Sequence, residues 1–247
     1  MARATLAAFL LLSALAGAGL ACQDLPQPAG GILAASDLVL VAQGSSREML
    51  LGLRQAGGRI LEYRFRSFVR DGSVQRAAFL EPGFDRGNTA IRRGETAFFR
   101  YAAWPRFDAM SARSSFLDSP LTWADALYPG LAAGYELASA AWDDRSGERL
   151  VRCELRPRER GAYRRIELWI RPGTWQTVRR VYYNPSGKAW KTAEFDGYAM
   201  AGGQAAEWRM TMTNNLTGAT ATLSAGPRRP EALDASFFEA AGRTGGK

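Results

Sequence analysis

The sequence predicts one mainly β domain with a few short α-helices, built as an antiparallel sheet. Apolar and polar residues alternate in short segments from Arg59 onward. This period of two is typical of strands with one buried and one solvated face. Turn sequences separate the segments at short, regular intervals, which indicates a barrel or a sandwich meander. With 247 residues, 47% of them hydrophobic, the chain can bury a sizeable core.

The clearest hairpin lies in the first half. Residues 60–70 alternate strictly, Asp71-Gly72 forms a tight-turn signal, and residues 73–80 continue as the partner strand. The other predicted strands are residues 96–104, 136–142, 150–156, 163–170, 178–183, 189–195, 207–213 and 219–224.

Three short helical segments accompany the strands. The mostly apolar residues 32–41 predict a helix packed on the sheet. Thr122 and Asp125 have the spacing of a capping box, which predicts a helix start there. Asp234 is placed to cap a closing turn that packs Phe237 and Phe238.

The N-terminus has the three-part pattern of a secretory signal peptide. Arg3 precedes a run of about ten apolar residues, and small residues follow up to Ala21. A spanning helix needs about 20 apolar residues, so a retained anchor is not expected. We therefore predict a signal peptide at 1–21, a linker at 22–31 and a single domain at 32–247.

Cys22 leaves three alternatives open. Cleavage before Cys22 would give a bacterial lipoprotein with a lipidated cysteine. The thiol could also stay unmodified near the new N-terminus. The third alternative is a disulfide with Cys153, the other of the two cysteines, which an exported protein permits.

The net charge indicates which kinds of binding partner the protein favours. The net charge is +8, and in an exported protein this favours anionic lipid surfaces or acidic glycans over nucleic acid. The alternative is a basic surface that only improves solubility. The arginines considered for such a surface are Arg86, Arg92, Arg93, Arg164, Arg165, Arg179 and Arg180.

The chain contains no histidine, which excludes Ser-His-Asp and Cys-His catalysis and histidine-ligated metals. Two cysteines cannot form a four-thiolate zinc site. Paired carboxylates such as Asp143-Asp144 have the setting of turn residues. We predict no enzymatic activity, no metal and no cofactor.

Several segments of the chain together resemble one known family. They are residues 148–157, 168–170, 182–188, 208–212, 215–218 and 234–238, together with 118–127 in the middle of the chain. The family they resemble is the outer-membrane lipoprotein-sorting family, the periplasmic carriers related to LolA and LolB. Arg171 departs from the family, which often has an acidic residue after the Trp-Ile pair. The match covers residues 110–240 well and the first hundred residues poorly.

The resemblance implies an unclosed antiparallel β-barrel, or half-barrel, with a helical lid over a hydrophobic cavity for acyl chains. It implies a monomeric carrier of lipid or lipidated protein in the periplasm, either free or anchored to the outer membrane through Cys22. An inner-membrane transporter and an anionic membrane surface are the implied partners. The alternative is an envelope module that carries nothing and docks on a transporter or another envelope protein.

The candidate site residues are apolar and aromatic. The residues predicted to line the cavity are Tyr63, Phe65, Phe99, Tyr101 and Leu168. Trp123 and Leu127 are predicted to belong to the lid. The alternative is that all seven are ordinary packing residues, because cavity and core share one face of a sheet.

Overall fold

The structure of the protein is a computed structural model that describes residues 29–41, 43–54, 58–71, 74–127, 130–159, 161–202 and 204–240. The predicted signal peptide and Cys22 lie outside the described residues. Within the described ranges, two α-helices and a closing 3-10 turn accompany the strands. The elements are α1 (Ala29–Leu40), β1 (Ser45–Arg54), β2 (Ile60–Asp71), β3 (Val74–Glu81), β4 (Thr89–Arg93), β5 (Thr96–Arg100), β6 (Asp108–Ser111), α2 (Trp123–Ala126), β7 (Tyr135–Arg145), β8 (Glu148–Pro157), β9 (Arg165–Ile170), β10 (Thr177–Tyr183), β11 (Ala189–Ala201), β12 (Gln204–Asn214), β13 (Thr220–Pro230) and the turn Ala235–Phe238.

All the strands form one open antiparallel sheet in the order β6-β5-β4-β3-β2-β1-β13-β12-β11-β10-β9-β8-β7. Strands that are neighbours in sequence pair with each other, except β6 and β7, and β1 also pairs with β13 at the centre. The two edges, β6 and β7, are therefore consecutive strands. Residues 112–134, which include α2, connect one edge to the other.

One face of the sheet carries the main core, as the alternation predicts. In β13, Ala221, Leu223 and Ala225 are buried and the residues between them are less so. Phe65 of β2 and Leu168 of β9 are completely buried in the same cluster. The core therefore runs along the inner face of both halves of the sheet.

The two helices pack against this inner face. Ser36 of α1 hydrogen-bonds Thr177 of β10 at 2.9 Å between the hydroxyls. The predicted capping box of α2 is confirmed, since Thr122 and Asp125 each satisfy the other's backbone N–H. The predicted cap on the closing turn is confirmed as well, because Asp234 accepts from the Ser236 amide. No helix of the described residues is both long and apolar enough to cross a membrane.

The element boundaries differ from the prediction in several places. β1, β4 and β6 were not predicted, and β4 and β6 are only five and four residues long. β7, β11 and β13 each continue beyond the predicted C-terminal end of the strand. β5 ends at Arg100, so Tyr101 lies beyond the strand. The first helix begins at Ala29, inside the segment predicted as a linker.

Candidate functional site

The candidate site is a cavity of about 480 Å³ on the inner face of the sheet. The strands β9 to β12 form its floor, and the tip of α1 and residues 130–134 form its rim. Six mostly apolar side chains define its walls: Leu40, Leu131, Ile166, Phe195, Trp208 and Met210. Pockets that bind single small molecules span about 300–1,000 Å³, so this volume suits one ligand chain.

A buried polar cluster lies at one side of the cavity. Four donors converge on Oδ2 of Asp125: the Thr122 amide at 2.8 Å, the Thr122 hydroxyl at 2.9 Å, the Tyr163 hydroxyl at 2.6 Å and Lys191 Nζ at 3.3 Å. Lys191 also donates to the Tyr163 hydroxyl at 3.2 Å. The cluster joins α2 to β11 and to the loop before β9, and it neutralises the carboxylate at the cavity wall.

The connecting segment is fastened to the other half of the sheet by Arg92 of β4. Its guanidinium donates to the carbonyls of Ala124 at 3.2 Å and Leu127 at 2.9 Å. These are carbonyls that a short helix leaves without intrahelical partners. The segment that contains α2 is therefore held by Arg92 from one half of the sheet and by Lys191 from the other.

A second group of donors lies on the cavity floor. The guanidinium of Arg180 lies 4.9 Å from the centre of the Phe195 ring, and the Phe195 and Trp208 ring centres are 6.3 Å apart. All three side chains line the cavity. Arg180 and Trp208 are only 3% and 7% exposed. Trp208 Nε1 has no hydrogen-bond acceptor among the described residues.

The tyrosines around the cavity are neutral at physiological pH. Burial raises the pKa of Tyr182 to about 12, against a smaller opposing effect of Arg180. Burial is also the main cause of the raised pKa values of Tyr135 and Tyr163, which lie well above their usual range. These side chains act as hydrogen-bonding groups and contribute no anionic charge to the site.

The residues predicted from sequence lie elsewhere. Phe65, Phe99 and Leu168 are buried in the main core, and Tyr63 packs partly buried against it. Tyr101 is 54% exposed. Neither these five nor the predicted lid residues Trp123 and Leu127 are among the side chains that line the cavity, although Ala124 and Asp125 of the lid segment are.

Aromatic contacts group four of the seven predicted residues. The Phe99 ring packs against Trp123 at 5.5 Å and against Tyr101 at 4.9 Å between ring centres. Phe65 contacts Phe116 at 6.1 Å. Phe116 in turn meets Trp123 edge to face at 4.6 Å. These residues form an aromatic cluster under β2 to β5, and whether they also line a binding space stays a prediction.

Two arginines of the predicted basic surface are not on the surface. Arg92 and Arg180 are buried and line the cavity instead. The reason is strand alternation, since Arg179 and Arg180 are consecutive in β10 and their side chains take opposite faces. Trp208 and Met210 were not predicted as cavity residues, although their alternation with Met212 in β12 is a signal for one face of the sheet.

No group of three or more potential metal ligands of the Cys and carboxylate types occurs within the described ranges. The cavity presents mainly apolar walls, fixed donors and three carboxylates, those of Glu95, Asp125 and Glu159. The Asp125 carboxylate is bound by Lys191. Such an arrangement can hold a hydrophobic ligand and hydrogen-bond its polar end.

The geometry is that of a β protein with an internal, mainly apolar cavity, and comparison with solved structures identifies the fold. A LolA-superfamily protein from Nitrosomonas europaea superposes with a TM-score of 0.75 at 18% identity, over 85% of this chain and 97% of that one. A domain from Vibrio parahaemolyticus, named for outer membrane lipoprotein sorting, gives 0.72 at 18% identity, over 85% and 95%. A DUF1329 family protein from Desulfovibrio piger gives 0.70 at 20% identity, with the same coverage. The resemblance seen in the sequence is thus confirmed as a shared fold.

The family follows from a sequence model. A family model described as "Uncharacterized protein" matches residues 75–241, and the chain belongs to that family. None of the curated proteins compared with the chain matches it significantly in sequence.

Proposed function

We propose that the protein is an envelope carrier that binds an acyl chain of a lipid or lipidated protein in the cavity and moves it across the periplasm. The observation that carries the proposal is the apolar cavity on the inner face of a LolA-type sheet. In this proposal the sheet acts as an unclosed half-barrel. Helix α1 and the segment that contains α2 act as the lid over its cavity. Cys22, where lipidated, would anchor the carrier to the outer membrane.

The energetics suit such a carrier. Each methylene moved from water into an apolar cavity contributes about 0.8 kcal/mol. Affinity for linear alcohols should therefore rise about fourfold per added methylene until the cavity is full. A volume of about 480 Å³ favours one chain at a time over several chains together.

The first experiment is native mass spectrometry of gently purified protein, followed by titration of the delipidated protein with alcohols of increasing length. We expect a co-purified lipid or acyl-peptide and a stepwise gain in affinity. A protein that takes up no alcohol of any length would contradict the proposal.

A cavity-filling variant localises the binding. Met210→Trp places a larger side chain at the cavity wall, and we expect it to abolish alcohol binding. Met200→Trp makes the same substitution at an exposed position of the neighbouring strand and should leave binding unchanged. Equal binding by both variants would place the ligand somewhere else.

A docking module is the second candidate, and exposed aromatic residues favour it. Phe84 is 81% exposed, and Tyr101 and Trp104 are more than half exposed. Their loops touch, since the Ala102 amide donates to the Asn88 side chain at 2.9 Å. Two results together would select this candidate. The protein binds no alcohol, and crosslinking of envelopes captures a stable protein partner that is lost with Phe84→Ser and Trp104→Ser.

A further inference from the structure

The inner face of the sheet is apolar around the cavity except for a few fixed polar groups, and two of them point to the chemistry of the ligand. Trp208 Nε1 is a donor enclosed in the wall, and no acceptor for it exists in the described part of the chain. Buried N–H groups are almost always hydrogen-bonded in native proteins. An acceptor atom supplied by the ligand would satisfy this one.

The second group is the Arg180 guanidinium, which carries a permanent positive charge on the cavity floor. It hydrogen-bonds the Tyr182 phenol. A guanidinium has five N–H donors in a planar fork, so it can hold Tyr182 and still meet an anionic oxygen of a ligand. Phe195 is a near neighbour of both Arg180 and Trp208, so the two donor side chains belong to the same part of the cavity wall.

The acidic side chains at the cavity do not compete with an anionic ligand group for Arg180. Asp125 is bound by Lys191 at 3.3 Å, and Glu95 lies 3.8 Å from Arg92. Glu159 is exposed at the rim, where Arg158 lies beside it in sequence. The donors on the floor therefore face a cavity whose carboxylates are engaged by other cations or solvated.

We propose that Arg180 and Trp208 form a head-group subsite that selects a single-chain amphiphile with an anionic oxygen group, a carboxylate or a phosphate, over a neutral one. This inference rests on the proposed function, because it assumes that a hydrocarbon chain fills the apolar part of the same cavity. Hydrogen bonds to a charged acceptor are shorter and stronger than neutral ones, which is the physical basis of the selection.

Three ligands with the same chain and different heads test the subsite. Dodecanoate, dodecyl phosphate and dodecanol are titrated into the delipidated full-length protein by isothermal calorimetry at pH 8. We expect at least one of the two anions to bind about tenfold or more tightly than dodecanol. The tighter of the two anions identifies the source of the head group, a fatty acid or a phospholipid that has a single acyl chain.

Variants assign the preference to the two residues. Arg180→Gln should reduce the ratio of anion affinity to dodecanol affinity about tenfold or more, and Arg180→Lys should keep part of this ratio. Trp208→Phe keeps an aromatic ring without the N–H and should weaken binding of the anions about fivefold. Arg179→Gln is the matched control, because it removes the same charge from the adjacent position, where Arg179 pairs with Glu194.

The outcomes separate this inference from the proposed function. Equal affinities for all three ligands, or an anion preference that survives in folded Arg180→Gln, overturn the head-group subsite and leave the acyl-chain cavity standing. If Arg180→Gln fails to fold, an unchanged preference in Trp208→Phe together with Arg180→Lys overturns the subsite equally. Absence of binding by all three ligands overturns both proposals.

Discussion

Lys191 Nζ lies 3.3 Å from Asp125 Oδ2, and both side chains are at least 96% buried. Lys191 belongs to β11 and Asp125 to α2, so the ion pair fastens the segment between the sheet edges to the inner face. Burial of two charges is tolerated only where further hydrogen bonds satisfy them. Tyr163 and Thr122 supply those bonds on the side of Asp125.

Removing the lysine should destabilise the fold. Lys191→Met leaves Asp125 buried without its cation, and we expect the free energy of unfolding in urea to fall by about 3–5 kcal/mol. The double variant Lys191→Met with Asp125→Asn should lose less than the two single variants together, since no buried charge is left. The control is Arg209→Met, which removes the exposed pair with Asp196 and should change stability little. A loss no larger than that of this control would show that the buried pair contributes nothing.

Cys153 should be inert in the folded protein. The side chain is buried, and burial raises the pKa of the thiol from 9.0 to about 12. In a Cys22→Ser background, we expect no labelling by a thiol reagent at pH 8 and complete labelling in urea. Fast labelling of the native protein would contradict the burial of this residue.

The raised pKa of Cys153 also predicts a pH dependence of stability. The folded state keeps the proton more tightly than the unfolded state, so the contribution is complete below about pH 9. It is lost progressively as the pH rises from about 9 toward about 12. Cys153→Ala should lack this component when urea midpoints of the two proteins are compared across that range.

Arg47 should be replaceable with a gain in stability. It is only 6% exposed, and its two terminal nitrogens find no acceptor in the described chain. Burial, with a smaller effect of Arg228, lowers its pKa to about 10. Arg47→Met removes a buried cation and its unsatisfied donors, so we expect about 1–3 kcal/mol of added stability in a urea titration.

The pH dependence gives a second readout for Arg47. Between about pH 10 and 12.5 the folded protein releases this proton more readily than the unfolded chain. Stability of the wild type should therefore gain from rising pH in that window, and Arg47→Met should lack this gain. Arg229→Met, at an exposed position near Glu48, is the control and should bring no stabilisation. A stability loss in Arg47→Met would show that the guanidinium has a partner.

Phe65 and Tyr101 should behave in opposite ways, although both were predicted to line the cavity. Phe65 is fully buried against Phe79 and Phe116, so Phe65→Ala should lower stability by about 3–5 kcal/mol. Tyr101→Ala removes a half-exposed ring and should change the stability little. We expect the affinity for dodecanol to be unchanged in both variants at a temperature where they are folded. A loss of affinity in either one would extend the binding space to this half of the sheet.

The sequence was informative where the local pattern decides the structure. Strict alternation in residues 60–70 predicted the β2–β3 hairpin, which the structure contains. The capping signal at Thr122 and Asp125 predicted the start of α2 within one residue. In both cases the determining contacts are local in sequence, within one hairpin or one helical turn.

The site was harder to predict because long-range contacts define it. Asp125 carried the signal of a helix cap, and nothing in its neighbourhood shows that Lys191, 66 residues away, completes the cluster. Consecutive arginines at 179 and 180 did contain a usable signal, since a strand cannot place both on its outer face. Tyr63, Phe65 and Phe99 could not be separated into wall and core, because alternation indicates a face of the sheet and not the empty space above it.

The central pairing of β1 with β13 has a consequence for folding kinetics. Next to this pairing, the Ser46 hydroxyl donates to Glu231, which lies 185 positions later in the sequence. The other strand pairs join strands that are neighbours in sequence. Two locally connected meanders can thus form early, and we expect the long-range pairing of β1 with β13 to be the slow step. Because Arg92 comes from one meander and Ile166 from the other, the cavity is complete only after that late event.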